Sequence, residues 1–127
     1  MAIFHYQNIG ELKQALSRDY NNINVALFAT GASTLRIDIF NNRILIVAVN
    51  KRILALKKIG EENPLVSDIA DYCLMKSFKK QFKQVLTDKY GFRVAHMFKD
   101  YDAKNALSAT LAILEDGVEQ YLSPTQA

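Results

Sequence analysis

The sequence has little that could hold a small protein together by covalent or metal bonds, since its 127 residues include one cysteine and two histidines. A single cysteine cannot form an internal disulfide, which favours a reducing compartment. No run of about 18 apolar residues is found, so no segment is expected to cross a membrane. No nucleophile stands beside a base, and no glycine-rich phosphate loop precedes a helix. We therefore expect a cytoplasmic, non-catalytic protein with no metal and no cofactor.

Half of the residues are apolar, 23% are charged, and the formal net charge is +3. A chain of this length can bury a core as one domain without metals or disulfides. We predict a single domain over residues 1–127, with its core at about 8–116 and a tail at 117–127. The mild positive charge permits anionic partners without requiring them.

Apolar residues recur at spacings of three and four after Asn8, which predicts an amphipathic helix. The residues that share its apolar face are Ile9, Leu12, Leu16, Tyr20, Ile23 and Leu27. Gly31 follows as the expected residue after the helix end. An alternative makes residues 24–29 a short strand, because Val25 and Phe28 lie off the main stripe.

Residues 35–49 alternate in the manner of two strands around the Asn41-Asn42 pair, where asparagine tolerates the positive φ of a two-residue turn. This turn predicts that Ile39 faces Ile44 and that Ile37 faces Ile46, on the core side of a hairpin. The opposite side of the second strand carries Leu45, Val47 and Val49. That side is too apolar for a solvated face, so we expect something to cover it.

The longest helical pattern runs from Pro64 to Tyr90, with Asn63 as its N-cap and Gly91 as its stop. Its first half places on one side Leu65, Val66, Ile69, Ala70 and Cys73. Its second half places on nearly the opposite side Leu74, Met75, Phe78, Phe82, Val85 and Leu86. A break at residues 72–76 would align the two sides, but no glycine or proline lies there, which favours a continuous helix. The second half is then expected to cover the sheet, and the first half to meet the first helix or another chain. Cys73 is expected to be a small buried residue.

Four lysines in the second half of this helix, Lys76, Lys79, Lys80 and Lys83, form a basic ridge opposite Phe78 and Phe82. Such a ridge is a candidate site for the phosphates of nucleic acid or of anionic lipid. The simpler interpretation is the solvated face of an amphipathic helix. Nucleic acid is the less favoured partner, because no aromatic residue or arginine interleaves with the lysines.

Residues 92–99 and 107–114 alternate in the manner of a third and a fourth strand, joined by a polar turn at 100–105. Asp100 and Asp102 are interpreted as turn formers and not as cation ligands. His96 has no cysteine or glutamate at metal-ligand spacing. Residues 53–59 are either a short helix or an irregular connection, closed by Gly60.

The order α-β-β-α-β-β predicts an α+β two-layer sandwich, with a four-stranded antiparallel sheet and two long helices on one face. Moving the last strand to the front gives the ferredoxin-like order, so we predict a circular permutation of that fold. The uncovered sheet face is expected to carry Leu45, Val47, Val49, Met97, Ala112 and Leu114. Burial against a second copy is the simplest explanation of this face. The candidate partner or dimer surface therefore comprises Leu45, Val47, Val49, Leu65, Ile69 and Cys73.

The order of elements over residues 9–116 resembles that of a known family. A long helix and a hairpin precede a second long helix that runs into Asp88-Lys89-Tyr90-Gly91-Phe92-Arg93-Val94, and a last hairpin closes with Leu114-Glu115-Asp116. This pattern is similar to the small bacterial MpsC-like proteins, named for the C component of a sodium-translocating, membrane-potential-generating system. The resemblance implies a soluble accessory or regulatory protein that associates peripherally with an ion-translocating membrane complex. It assigns no role to any single residue.

Overall fold

The periodic segments of the sequence form three α-helices and four strands within residues 6–51 and 53–121, which are the residues that the computed structural model describes. In chain order they are α1 (Ile9–Phe28), β1 (Thr34–Phe40), β2 (Arg43–Val49), α2 (Leu54–Glu62), α3 (Pro64–Tyr90), β3 (Val94–Asp102) and β4 (Leu107–Leu114), followed by a 3-10 turn (Val118–Tyr121). The strands form one antiparallel sheet in the order β1-β2-β4-β3. This confirms the predicted two-layer α+β sandwich and its permuted ferredoxin-like strand order. The short α2 connects strand β2 to α3.

Helix α1 begins where Oδ1 of Asn8 accepts a hydrogen bond of 2.8 Å from the backbone N–H of Glu11. It stays helical through residues 24–28, so the alternative of a strand there is wrong. The helix ends earlier than predicted, because Ala29 and not Gly31 adopts the left-handed conformation, with φ of 60°. The N–H of Ala29 bonds to the carbonyl of Val25, and this contact satisfies one of the last helical carbonyls.

The first hairpin has the predicted register, with Ile39 opposite Ile44 and Ile37 opposite Ile46. Ile37, Ile44 and Ile46 are buried beneath the helices, so the predicted core side of this hairpin is confirmed. Within the two-residue turn only Asn41 has a positive φ, of 54°.

A β-bulge at Ala95 reverses the faces of strand β3. Val94 pairs with Leu114, but His96 already pairs with Ile113, so Ala95 is an extra residue in β3. Because an inserted residue inverts the alternation beyond it, Met97 lies opposite the buried Ala112 and points toward the helices. The prediction that Met97 lies on the uncovered face is therefore wrong.

Strand β4 is also inverted relative to the prediction, since Ala112 and Leu114 are each only 1% exposed and face the helices. Their face includes the hydroxyls of Ser108 and Thr110, which the sequence pattern favoured for the solvent side. Oγ of Ser108 lies 3.1 Å from the Tyr20 hydroxyl, and Oγ1 of Thr110 accepts a 3.0 Å hydrogen bond from Lys99. Buried hydroxyls cost little when they are hydrogen-bonded. This explains why the polar face of β4 turns inward.

Helix α3 is continuous over 27 residues, as predicted, and its second half covers the sheet. The buried residues of that half are Phe78, Phe82, Leu86 and Tyr90. The ring centroids of Phe78 and Phe82 lie 4.8 Å and 6.1 Å from that of Tyr20 in α1. In the first half only Ser67 is buried, and its hydroxyl points to the carbonyl of Leu56 in α2 at 3.5 Å. The first half of α3 therefore packs against α2 through Ser67. Its Leu74 and Met75 line a small cavity that Phe28 of α1 and Tyr101 of β3 also line.

The packed core includes residues on both sides of the predicted limits of 8–116. The hydroxyl of Tyr6 donates a 2.6 Å hydrogen bond to the carbonyl of Val118, and both residues are buried. Of the predicted tail, residues 122–127 lie outside the described residues.

Two predicted boundaries also change. Strand β3 continues through Asp102, so the second hairpin turn occupies residues 103–106. Helix α2 includes Gly60 and ends at Glu62, so Gly60 does not close that segment.

Candidate interaction surfaces

The side of the sheet that faces away from the helices, here called the open face, is apolar along its two central strands. The strand register assigns to it from β2 and β4 the side chains of Leu45, Val47, Val49, Leu107, Ala109, Leu111 and Ile113. Leu45, Val47 and Val49 thus lie where the sequence predicted. These side chains point away from the helices, and at the β3 edge Lys79 of α3 lines a depression together with Leu45 and Leu111.

The two edges of the open face differ in charge. On the β1 side Arg36 forms an ion pair with Asp38 at 3.1 Å, and Arg43 on β2 adds a further positive charge. On the β3 side the register places Asp100 and Asp102. One edge therefore has a net positive charge and the other is negative.

Two aromatic residues stand at the rim of the open face, Phe40 on β1 and Phe98 on β3, with 56% and 55% of their surface exposed. His96 lies beside Phe98, with the two rings stacked at a centroid distance of 6.2 Å. Exposure of two phenylalanines next to an apolar band is unusual on a monomer surface. The open face is therefore a candidate interface.

A second uncovered surface, here called the outer stripe, lies on the first half of α3. Its members, all exposed, are Leu65, Val66, Ile69, Tyr72 and Cys73. The expected burial of Cys73 is wrong, because α2 packs against the other side of α3 and α1 does not reach the stripe. The first half of α3 thus remains available to another chain.

The lysine ridge continues the outer stripe along the same side of α3. Lys76, Lys80 and Lys83 are exposed, whereas Lys79 is half-buried. The ammonium of Lys76 lies 5.5 Å from the ring centroid of Tyr72, so the ridge and the stripe meet at this pair. The outward side of α3 is therefore apolar in its first half and basic in its second.

The sequence did not predict a polar cluster around Lys99 beneath α3. The bulge of β3 creates it by turning this side chain toward the helices. The ammonium of Lys99 donates 3.0 Å hydrogen bonds to the hydroxyls of Tyr20 and Thr110, and lies 3.9 Å from the ring centroid of Phe78. Burial lowers the pKa of Lys99, although the neighbouring Tyr20 opposes this shift. Two hydroxyls and a ring face can engage all three N–H groups of the ammonium. Lys99 therefore has a structural role that its place in an alternating strand did not indicate.

A cavity of about 30 Å³ lies beside this cluster, between the end of α1, the middle of α3 and strands β3 and β4. Asn50 lines the cavity, and its side-chain amide donates a 3.2 Å hydrogen bond to Oδ1 of Asn24. Sites for metabolites usually measure about 300–1,000 Å³. This cavity is too small to support a substrate site. Across residues 6–51 and 53–121, no three metal-ligating side chains lie together.

Asp102 serves the turn of the second hairpin, whereas Asp100 lies within strand β3 and is not a turn former. Oδ2 of Asp102 accepts a 2.8 Å hydrogen bond from the side chain of Asn105, which lowers the pKa of Asp102. Oδ1 of Asp100 accepts a 2.8 Å hydrogen bond from the backbone N–H of Tyr101.

No family model, curated protein or solved structure matches this chain. None of the helices in the described part of the chain is long and apolar enough to span a membrane. The fold defines the protein as a two-layer α+β sandwich, in which the described residues leave an apolar sheet face and an apolar helix stripe uncovered.

The lowered pKa of Lys99 predicts a pH dependence that the Lys99→Met variant should lack. The unfolded chain binds this proton more tightly, so the free energy of unfolding of the wild type should rise with pH relative to the variant. The relative gain can reach at most about 1.4 kcal/mol per pH unit for one proton. Urea unfolding of both proteins between about pH 7 and about pH 10.5 measures it, because the gain accrues between the pKa of Lys99 in the folded state and its usual value in the unfolded chain. A difference between the two proteins that stays constant over this range would contradict the prediction.

Proposed function

We propose that this chain is a non-catalytic accessory or regulatory protein of the cytoplasm that acts through homodimerisation and through binding of a protein partner. The observation that carries this proposal is the open face, an apolar band along two central strands with charged edges. Exposed apolar patches rimmed by polar residues mark protein-binding surfaces. Leu45, Val47 and Val49 lie in the middle of this band.

The charges at the two edges favour a second copy as the occupant of the open face. Two facing sheets related by a two-fold axis along the strands would lay β1 of one copy over β3 of the other. Arg36, Val47, Ala109 and Asp100 form one row across the sheet. In such a dimer Arg36 of each copy would approach Asp100 of the other. The apolar bands would be buried between these two ion pairs.

The resemblance to the MpsC-like proteins supports a setting for this dimer. It favours peripheral association with an ion-translocating membrane complex, in which the dimer would act as a soluble accessory component. A protein partner would then engage surfaces that the sheet-to-sheet contact leaves uncovered.

The lysine ridge supports a second candidate function, the binding of nucleic acid or of an anionic membrane. The observation that favours it is the continuity of Lys76, Lys80 and Lys83 with the outer stripe, because peripheral membrane helices combine apolar and basic residues. Asp68, exposed in the same first half of α3, would oppose an anionic surface. The dimer is therefore the favoured function.

The Val47→Glu variant should dissociate the dimer, because it would bury a charge without a partner in the centre of the contact. A loss of about 2–5 kcal/mol in the free energy of association would weaken dimerisation by at least about 30-fold. Light scattering over a concentration series measures the change. Gln14→Glu, on the exposed side of α1, is the control with the same added charge, and circular dichroism checks that both variants fold. A mass for Val47→Glu equal to that of the wild type at every concentration would contradict the dimer.

Charge reversal at the two edges tests the direction of the two-fold axis. Arg36→Glu and Asp100→Lys should each weaken dimerisation by about threefold to tenfold. The two-fold axis repeats this exposed ion pair, so each substitution removes two pairs from the dimer. The double variant should recover most of the loss, because each new pair again has opposite charges. Arg18→Glu on α1 is the control for the change in net charge. If the double variant dimerises no better than the two single variants, β1 does not lie over β3.

The second candidate function predicts that the wild type binds RNA or anionic vesicles and that added salt weakens this binding. Replacing Lys79 and Lys83 together by glutamate should abolish it. The matched control variant replaces Lys13 in α1 and Lys104 in the second hairpin turn by glutamate. Vesicle sedimentation measures binding to the anionic membrane, and titration with RNA measures binding to nucleic acid. Equal binding by both double variants would exclude the ridge as the site.

A further inference from the structure

Two buried asparagine side chains meet where the end of α1 passes the end of β2. Asn24 in α1 is fully buried, and Asn50, the residue after β2, is 7% exposed. Nδ2 of Asn50 donates the 3.2 Å hydrogen bond to Oδ1 of Asn24. Among the residues that the structure describes, Nδ2 of Asn24 and Oδ1 of Asn50 have no hydrogen-bonding partner. One donor and one acceptor are therefore left unpaired away from bulk solvent.

Unpaired polar atoms of this kind are rare inside a folded protein. An amide group that is buried without a partner loses its hydration and gains nothing in exchange, so nearly all such groups are hydrogen-bonded. Within residues 6–51 and 53–121, these two atoms are the only buried side-chain nitrogen or oxygen atoms without a partner. Because both belong to one contact, a shared partner that bridges them is the simplest way to satisfy them.

The cavity beside the Lys99 cluster limits the size of such a partner. Asn50 lines this cavity of about 30 Å³, and Lys99, Tyr101 and Ser108 contribute further polar groups to its wall. A water molecule needs about 10–15 Å³ of cavity and two to four polar partners. The cavity therefore has room for about two water molecules and not for an organic ligand.

The distance between the two unpaired atoms sets the same limit. The oxygen and the nitrogen of one side-chain amide lie about 2.2 Å apart. Given the 3.2 Å bond that joins the two side chains, Nδ2 of Asn24 and Oδ1 of Asn50 are at most about 7.6 Å apart. Each hydrogen bond to water spans about 2.8 Å, so a chain of two waters reaches across about 8.4 Å. One or two waters are thus enough to join the two atoms.

We propose that this cavity is an internal water site, in which about two ordered water molecules join Nδ2 of Asn24 to Oδ1 of Asn50. The waters complete a junction that the backbone of Asn50 already makes. Its N–H donates a 2.8 Å hydrogen bond to the carbonyl of Ala106, and its carbonyl accepts one of 3.1 Å from the hydroxyl of Tyr101. Asn50 thereby connects α1, the end of β2 and the second hairpin. The site lies between the helices and the sheet, so it does not depend on the proposed dimer.

Magnetic relaxation dispersion of water tests the proposal, because it counts the water molecules that stay bound for longer than the protein takes to tumble. Asn24→Leu together with Asn50→Leu removes both polar groups at nearly constant side-chain size. This double variant should lose about two of the long-lived waters of the wild type. Asn22→Leu, exposed on α1, is the control and should keep the number of the wild type. An equal number in the wild type and the double variant would overturn the proposal.

Measurements on the unmodified protein decide the question if the double variant does not fold. Cross-relaxation spectra should show contacts between bound water and the side-chain amide protons of Asn24 and Asn50. A dry apolar cavity binds xenon, whereas a hydrated polar cavity does not. The methyl signals of Leu74 and Met75, which line the cavity, should therefore not shift under xenon pressure. Absence of water contacts at both amides, or xenon shifts at these methyl groups, would overturn the proposal.

Discussion

The packing of the second half of α3 on the sheet is the interaction on which the rest of the structure depends. Phe78 and Phe82 fill the space between α1 and the strands, and their contact with Tyr20 fixes both long helices on one side. Within residues 6–51 and 53–121, the two layers then leave the other side of the sheet uncovered. Because α3 is continuous, its first half must carry its apolar residues away from that core. Both uncovered surfaces follow from this one contact.

The polar network beneath α3 decides which side of the sheet faces this core. The polar side chains of this network are hydrogen-bonded to one another, so strands β3 and β4 can turn a partly polar face toward the core. They are Lys99, Tyr20, Ser108 and Thr110. The more apolar face of β4, which includes Leu111, and Phe98 of β3 are then left on the open side. This exchange gives the open face a broader apolar band than the sequence predicted.

The parts of the fold that the sequence predicted are those with one strong local pattern. The stripe of α1, the hairpin at Asn41 and the run from Pro64 to Tyr90 each follow from spacing and end signals. The faces of β3 and β4 did not follow, because one inserted residue at Ala95 has no signature in an alternating pattern. Both sides of β4 are also small or apolar, so polarity alone could not orient it. Of the candidate surface, the part on β2 and α3 was therefore predictable, and the part on β3 and β4 was not.

The central claim is that a second copy of the chain occupies the open face. Burial of apolar area stabilises such contacts by about 25 cal/mol per Å² before the costs of association. Sedimentation equilibrium of the unmodified protein, from about 1 µM to about 500 µM, a range that spans typical dimer affinities, tests this claim most directly. We predict an average mass that rises with concentration from one chain toward two. The mass of a single chain throughout this range would contradict it.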